Sequence, residues 1–223
     1  MSEQAVGARR RGLEQWAGLG SVAYVVLFVV GISLAEGGQP DTGDEPAKVV
    51  RYYMDSGHRD KIQVGWVLTV LGLFFFLWFL TSLRLTLRRL DGDGFLTTLA
   101  TLGGGVYAAL ALAAMAVNVA IKTMSDDMYR HAVYPELIHA ADDMWYVLHA
   151  SGGIGAGAMI IAASVAASRG GLVPTWAGWV GAIAGVLALG SIFFFPQFLI
   201  ALWLLVAGVL LFLRSPEPVV RPI

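Results

Sequence analysis

IQVGWVLTVLGLFFFLWFLTSL, residues 62–83, contains no charged residue and runs straight into RLTLRR, residues 84–89. An uncharged apolar stretch of that length matches the roughly 17–25 residues a helix needs to cross about 30 Å of hydrocarbon. The arginines behind it, Arg84, Arg88 and Arg89, mark the end that stays on the cytoplasmic side, because Lys and Arg beside a span set its orientation.

Outward from this stretch the pattern repeats. Apolar runs at 16–35, 97–121, 144–168, 176–195 and 198–213 bring the expected number of spans to six. All must be helices, since an unpaired backbone group facing lipid costs several kcal/mol and nothing alternates as a barrel strand would. The fold class expected is all-α, a polytopic transmembrane bundle of six helices. Pro174 sits where the fifth span begins and Pro196 separates the last two, which a short turn folds into an antiparallel hairpin.

Composition agrees. Of 223 residues, 57% are hydrophobic and 14% charged, with a mean hydropathy of +0.69. Soluble domains carry about a quarter charged residues, so water is not the main solvent here. The net charge of −1 and the absence of a basic patch leave no nucleic-acid footprint. With no cysteine there is no disulfide, thiolate metal site or cysteine nucleophile, and no cofactor is expected.

With both termini cytoplasmic, the inner side holds Arg9, Arg10, Arg11, Arg84, Arg88, Arg89, Arg169, Arg214 and Arg221. The outer loops, 36–61 and 122–143, hold the other six basic residues and eleven of the sixteen acidic ones. Residues 1–15 and 214–223 are then cytoplasmic tails. Arg9–Arg11 ahead of a run ending Ser33-Leu34-Ala35 resembles a secretory signal, but the run is longer than the roughly 7–15 residues of such a region, so an uncleaved first span is expected. Trp16, Trp176 and Trp179 fall near the inner interface, and Trp66 and Trp145 near the outer one, as aromatic belts do.

Gly103–Gly105, the pair Gly153 and Gly157, and the pair Gly181 and Gly185 permit close helix approach, within one chain or between copies. The expected partners are therefore the lipid bilayer and, through these faces, a membrane-protein partner or a second copy. In the first outer loop Asp44 reads as an N-cap for a short helix over about 45–56, ended by Gly57 and laid on the membrane surface or over the bundle mouth.

Chemistry concentrates at the outer ends of the third and fourth spans. At 100° per residue, His139, Asp142, Asp143, Tyr146 and His149 form one polar stripe, answered by Tyr107, Asn118 and Lys122 on the facing helix. The candidate polar pocket is Tyr107, Asn118, Lys122, Asp142, Asp143, Tyr146 and His149, with His149 the ionisable group inside a span. His131, Glu136, His139 and Asp143 supply a nitrogen and carboxylate donor set for a metal, against which stands a plainly solvated loop. HExxH is absent, Ser151 has no later histidine as base, and His149 is the single histidine available inside the spans for a haem.

FLWFLTSLRLTLR at 76–88, GGGVYAALAL at 103–112, LVPTWAGWVG at 172–181 and FLIALWLLVAGVLLFLR at 198–214 resemble a group of small bacterial, actinobacterial-type, six-helix integral membrane proteins of unknown function, the domain-of-unknown-function 4386 group. The resemblance covers most of the chain. It implies the bacterial cytoplasmic membrane and no catalytic residue. Two functions stay open: a non-enzymatic scaffold, sensor or accessory module, and a small transporter or ligand-binding protein with an outward-facing pocket between spans three and four.

Overall fold

The computed structural model describes residues 12, 14–41, 43–123, 133–191, 193 and 195–213. Among these the chain is all-helical, with no strand. The helices are α1 (Gly20–Glu36, its helical backbone reaching back to Glu14), α2 (Pro46–Met54), α3 (Ser56–Asp91), α4 (Phe95–Lys122), α5 (Pro135–Arg169), α6 (Thr175–Ala188) and α7 (Phe195–Leu213). Five of them, α1, α3, α4, α5 and α7, are long and apolar enough to cross a membrane.

Within the fifth expected span, 176–195, the helix is shorter than the apolar run. Its helix, α6, stops at Ala188 after 14 residues, about 21 Å at 1.5 Å per residue and short of the hydrocarbon thickness. Apolarity continues past that point but the backbone does not follow it. Gly190, Ser191 and Phe193 each donate their N–H to the carbonyl three residues back, and the Ser191 hydroxyl donates to Ala188 O at 2.7 Å. A serine that takes up its neighbour's carbonyl competes with the helix ladder.

The six longer helices close into a ring, in which α1 packs on α3, then α4, α5, α6, α7 and back to α1, while α3, α5 and α7 also touch across the centre. The inward face of α3 combines small residues with aromatic ones, and its outward face is large and apolar. On α3, Gly65, Thr69, Gly72 and Phe76 are buried, whereas Val64, Val67, Leu71, Phe74 and Trp78 are exposed. Such a surface suits lipid, in which helices gain nothing by hiding leucine and instead associate through close backbone packing. A Cβ on Gly103 would lie 2.6 Å from the Gly155 carbonyl, and one on Gly155 equally close to that of Gly103, so α4 and α5 meet backbone to backbone. Gly157 and Gly185 make the same approach between α5 and α6, so these glycines join helices of one chain; Gly105 faces open space.

The short helix α2 lies over the end of the bundle where α4 stops and α5 starts. Val49 and Tyr53, one turn apart, are buried against Ile62 of α3 and Ile138 of α5. Its bounds differ from expectation. Glu45 occupies the N-cap position, because the Asp44 carboxylate instead accepts from Asp41 N and Lys48 Nζ. The helix ends at Met54 rather than at Gly57, since Asp55 turns the chain and caps α3 by accepting from His58 N at 3.1 Å. α3 therefore starts at Ser56, well outside the apolar run that announces it.

Candidate functional site

α4 ends on Lys122, and helix periodicity turns its side chain inward with Asn118 and Tyr107. Lys122 Nζ lies 2.6 Å from the Asp142 carboxylate of α5 and 3.8 Å from that of Glu36 at the end of α1, and donates to Gln39 Oε1 at 2.8 Å. The lysine side chain is 0% exposed, whereas Glu36 and Asp142 keep about a third of theirs at 34% and 35%. A buried cation is tolerable only with such pairing. One lysine between two carboxylates leaves the cluster with a net negative charge.

The lid helix joins the same cluster. The Tyr53 hydroxyl donates to Gln39 Oε1 at 3.0 Å, Gln39 Nε2 donates to Ala35 O at 2.6 Å, and the Tyr53 ring lies 6.0 Å from Lys122 Nζ, at the limit of cation–π reach. Burial, and then the Asp142 and Glu36 charges, push the Tyr53 hydroxyl above its ordinary pKa; burial and Glu36 do the same to Tyr52. Four elements, α1, α2, α4 and α5, are thus tied together at Lys122. We refer to this arrangement as the clasp.

Further into the bundle lies a second, uncharged group. Tyr24 of α1 and Tyr107 of α4 share a hydroxyl–hydroxyl bond of 2.6 Å. His149 of α5 is stacked between Phe28 and Trp145, each ring centroid 5.5 Å away, with Tyr107 edge-on at 6.2 Å. Asn118 Nδ2, Trp145 Nε1 and His149 Nδ1 are buried without a hydrogen-bond partner among the described residues.

The expected single pocket is therefore two sites. Lys122 and Asp142 form the clasp, and Tyr107 and His149 belong to the inner group. Asn118 sits one turn below Lys122 but bonds to neither it nor His149. Asp143 is exposed and Tyr146 half-buried, outside both. The reason is angular: Asp143 lies 100° round the helix from Asp142, at the edge of the stripe. Of the metal donors, Glu136 and Asp143 are exposed, His139 is half-buried and His131 lies outside the described residues. Among the described residues no three His, Asp or Glu side chains are grouped to hold a metal ion.

Sequence reading missed Glu36, Gln39, Tyr53 and Tyr24. For Glu36 a signal existed: it is the first charge after the first apolar run, at the same end of the bundle as the lone buried lysine. Gln39 stands in a polar turn with nothing to distinguish it, Tyr53 lies on the expected short helix with no sign in the sequence that it reaches Lys122, and Tyr24 is hidden in the apolar run YVVLFVV. Searches of protein-family models, curated proteins and solved structures find no match to this chain.

Proposed function

We propose that the chain is a non-enzymatic accessory or sensing module of the bacterial cytoplasmic membrane with both termini inside, an arrangement in which α6 and the apolar turns after it together make the sixth crossing beside the five membrane-length helices. Its resemblance to the small six-helix group of unknown function belongs to the same proposal. One observation carries the reading: the polar groups at the outer mouth are spent on each other. Lys122 is fully enclosed by Asp142, Glu36 and Gln39 beneath α2, so this lysine is not free to receive a ligand. A cavity of about 370 Å³ lies toward the opposite end of the bundle between α3, α5, α6 and α7 and is lined almost entirely by apolar side chains. A transporter using an outward polar pocket between α4 and α5 would need the reverse arrangement.

Because the chain has no cysteine, single cysteines report accessibility without background. Asp143→Cys should react with a membrane-impermeant maleimide from outside, Arg84→Cys only after permeabilisation, and Asn118→Cys in neither case. Reaction of Asn118→Cys as fast as Asp143→Cys would show an open mouth and replace this reading with the transporter. Reversed labelling of the first two would overturn the orientation.

A further inference from the structure

The inner group surrounds a cavity of about 30 Å³ between α1, α4, α5 and α7. Tyr24, Phe28, Tyr107, His149, Gln197 and Ile200 are among its walls. Donor counting makes this space unusual. Two phenol hydroxyls carry two hydrogens, and the bond between Tyr24 and Tyr107 uses one. Whichever hydroxyl donates, the hydrogen of the other has no protein acceptor among the described residues. Both tyrosines are almost fully buried, at 2% and 4% exposure, where an unpaired hydroxyl costs about 1–3 kcal/mol.

Two further residues with hydrogen-bonding side chains, His149 and Gln197, line the same space. A water molecule needs about 10–15 Å³ of such volume and two to four polar partners, so the cavity has room and partners for two. Other occupants fit poorly. A cavity of about 150 Å³ is what benzene requires, so the space is too small for an apolar molecule. No carboxylate lines it, which removes the hard-cation ligand set.

We propose that this chamber is an internal water site, whose one or two water molecules accept the spare tyrosyl hydrogen and bridge it to the His149 imidazole and the Gln197 amide. The water replaces the partner that no side chain provides, at a depth where the bilayer offers none. The site is separate from the clasp: none of Lys122, Asp142 or Glu36 lines it, so it holds water whether the outer mouth is open or shut.

The test is magnetisation transfer from water to the histidine ring nitrogens, by solid-state NMR on the full chain in lipid nanodiscs. His149 is assigned by loss of its signals in His149→Phe. Transfer to His149 is expected in the wild type, and Ala201→Leu, which extends a side chain from the cavity wall, should abolish it while leaving His58 and His139 unchanged. Tyr24→Phe/Tyr107→Phe, which removes the anchoring hydroxyls without adding volume, should abolish it as well and serves if Ala201→Leu fails to fold. No transfer in the wild type, or full transfer in a folded variant of either kind, overturns the proposal. Neither result depends on maleimide reactivity at the mouth.

Discussion

Where α4 ends and α5 begins, Lys122 meets Asp142 at 2.6 Å; further along the same two helices, Tyr107 meets His149 through the edge and face of their rings. Both pairs are buried polarity in a bundle whose buried side chains are mostly apolar. The outer pair is solved by charge matching, with two carboxylates drawn around one lysine and left partly in water. The inner group has no formal charge to match, and its hydroxyls turn to each other and to a small cavity. The difference follows from depth. Near the interface, a carboxylate can keep a third of its surface hydrated, whereas inside the bundle an ion would have no such relief. Loss of charge pairing should therefore be the more damaging change.

Lys122→Met is expected to have the largest effect. It leaves Asp142 and Glu36 facing each other without a cation, a change that costs 3–5 kcal/mol for fully buried pairs. Partial exposure of both carboxylates lowers the expectation to about 2 kcal/mol. Unfolding in mixed micelles measures it, and Lys122→Met/Asp142→Asn should recover part of the loss. A single-variant effect below about 0.5 kcal/mol, the range of ordinary surface changes, would mean that the clasp holds nothing.

Tyr107→Phe probes the inner group at smaller scale. It removes one hydroxyl from a pair whose counterparts in membrane bundles average about 0.6 kcal/mol and reach about 1.7. The same unfolding measurement should place it in that range. If it exceeded Lys122→Met, the ranking of the two regions by charge would be wrong.

Much of this contrast was legible in the sequence, and the part that was not has a physical cause. The apolar runs set where membrane-length helices form, because length and lack of charge suffice for that. They overstate the length of the α6 helix, because the turn at Gly190 and Ser191 ends it before the apolar run ends. Helical phase brought Lys122, Asp142, Tyr107 and His149 to one interface, since α4 and α5 are adjacent in sequence and packed along their glycines. Phase alone could not add Glu36, Gln39 and Tyr53, which reach Lys122 from α1 and the lid through long-range packing. Nor could it divide the stripe, because a projection of α5 does not say which depth each partner helix reaches.

Alkaline pH offers a finer probe of the clasp. Burial raises the folded-state pKa of Tyr53 above the ordinary tyrosine value of about 10. For an acid whose folded pKa is raised, the stabilisation is present in full below the unfolded value and is lost as pH rises from there through the folded one. The seat of α2 should therefore be insensitive to this group at neutral pH and loosen above about pH 10. Hydrogen exchange across 46–54 measures it, and Tyr53→Phe should remove that alkaline component while losing the bond to Gln39 at every pH.

Asp143→Asn should have the smallest effect, and it sharpens the comparison because Asp143 adjoins Asp142 in sequence. The two carboxylates differ by 100° of helical rotation, which sends one to Lys122 and the other to solvent. Asp142→Asn removes the closest partner of a buried cation, whereas Asp143→Asn removes a hydrated surface charge. The second should fall within about 0.5 kcal/mol of wild type and leave Asn118→Cys unlabelled. Equal effects of the two substitutions would mean that α5 is rotated from the phase described, and would move the clasp from Asp142 to the pair as a whole.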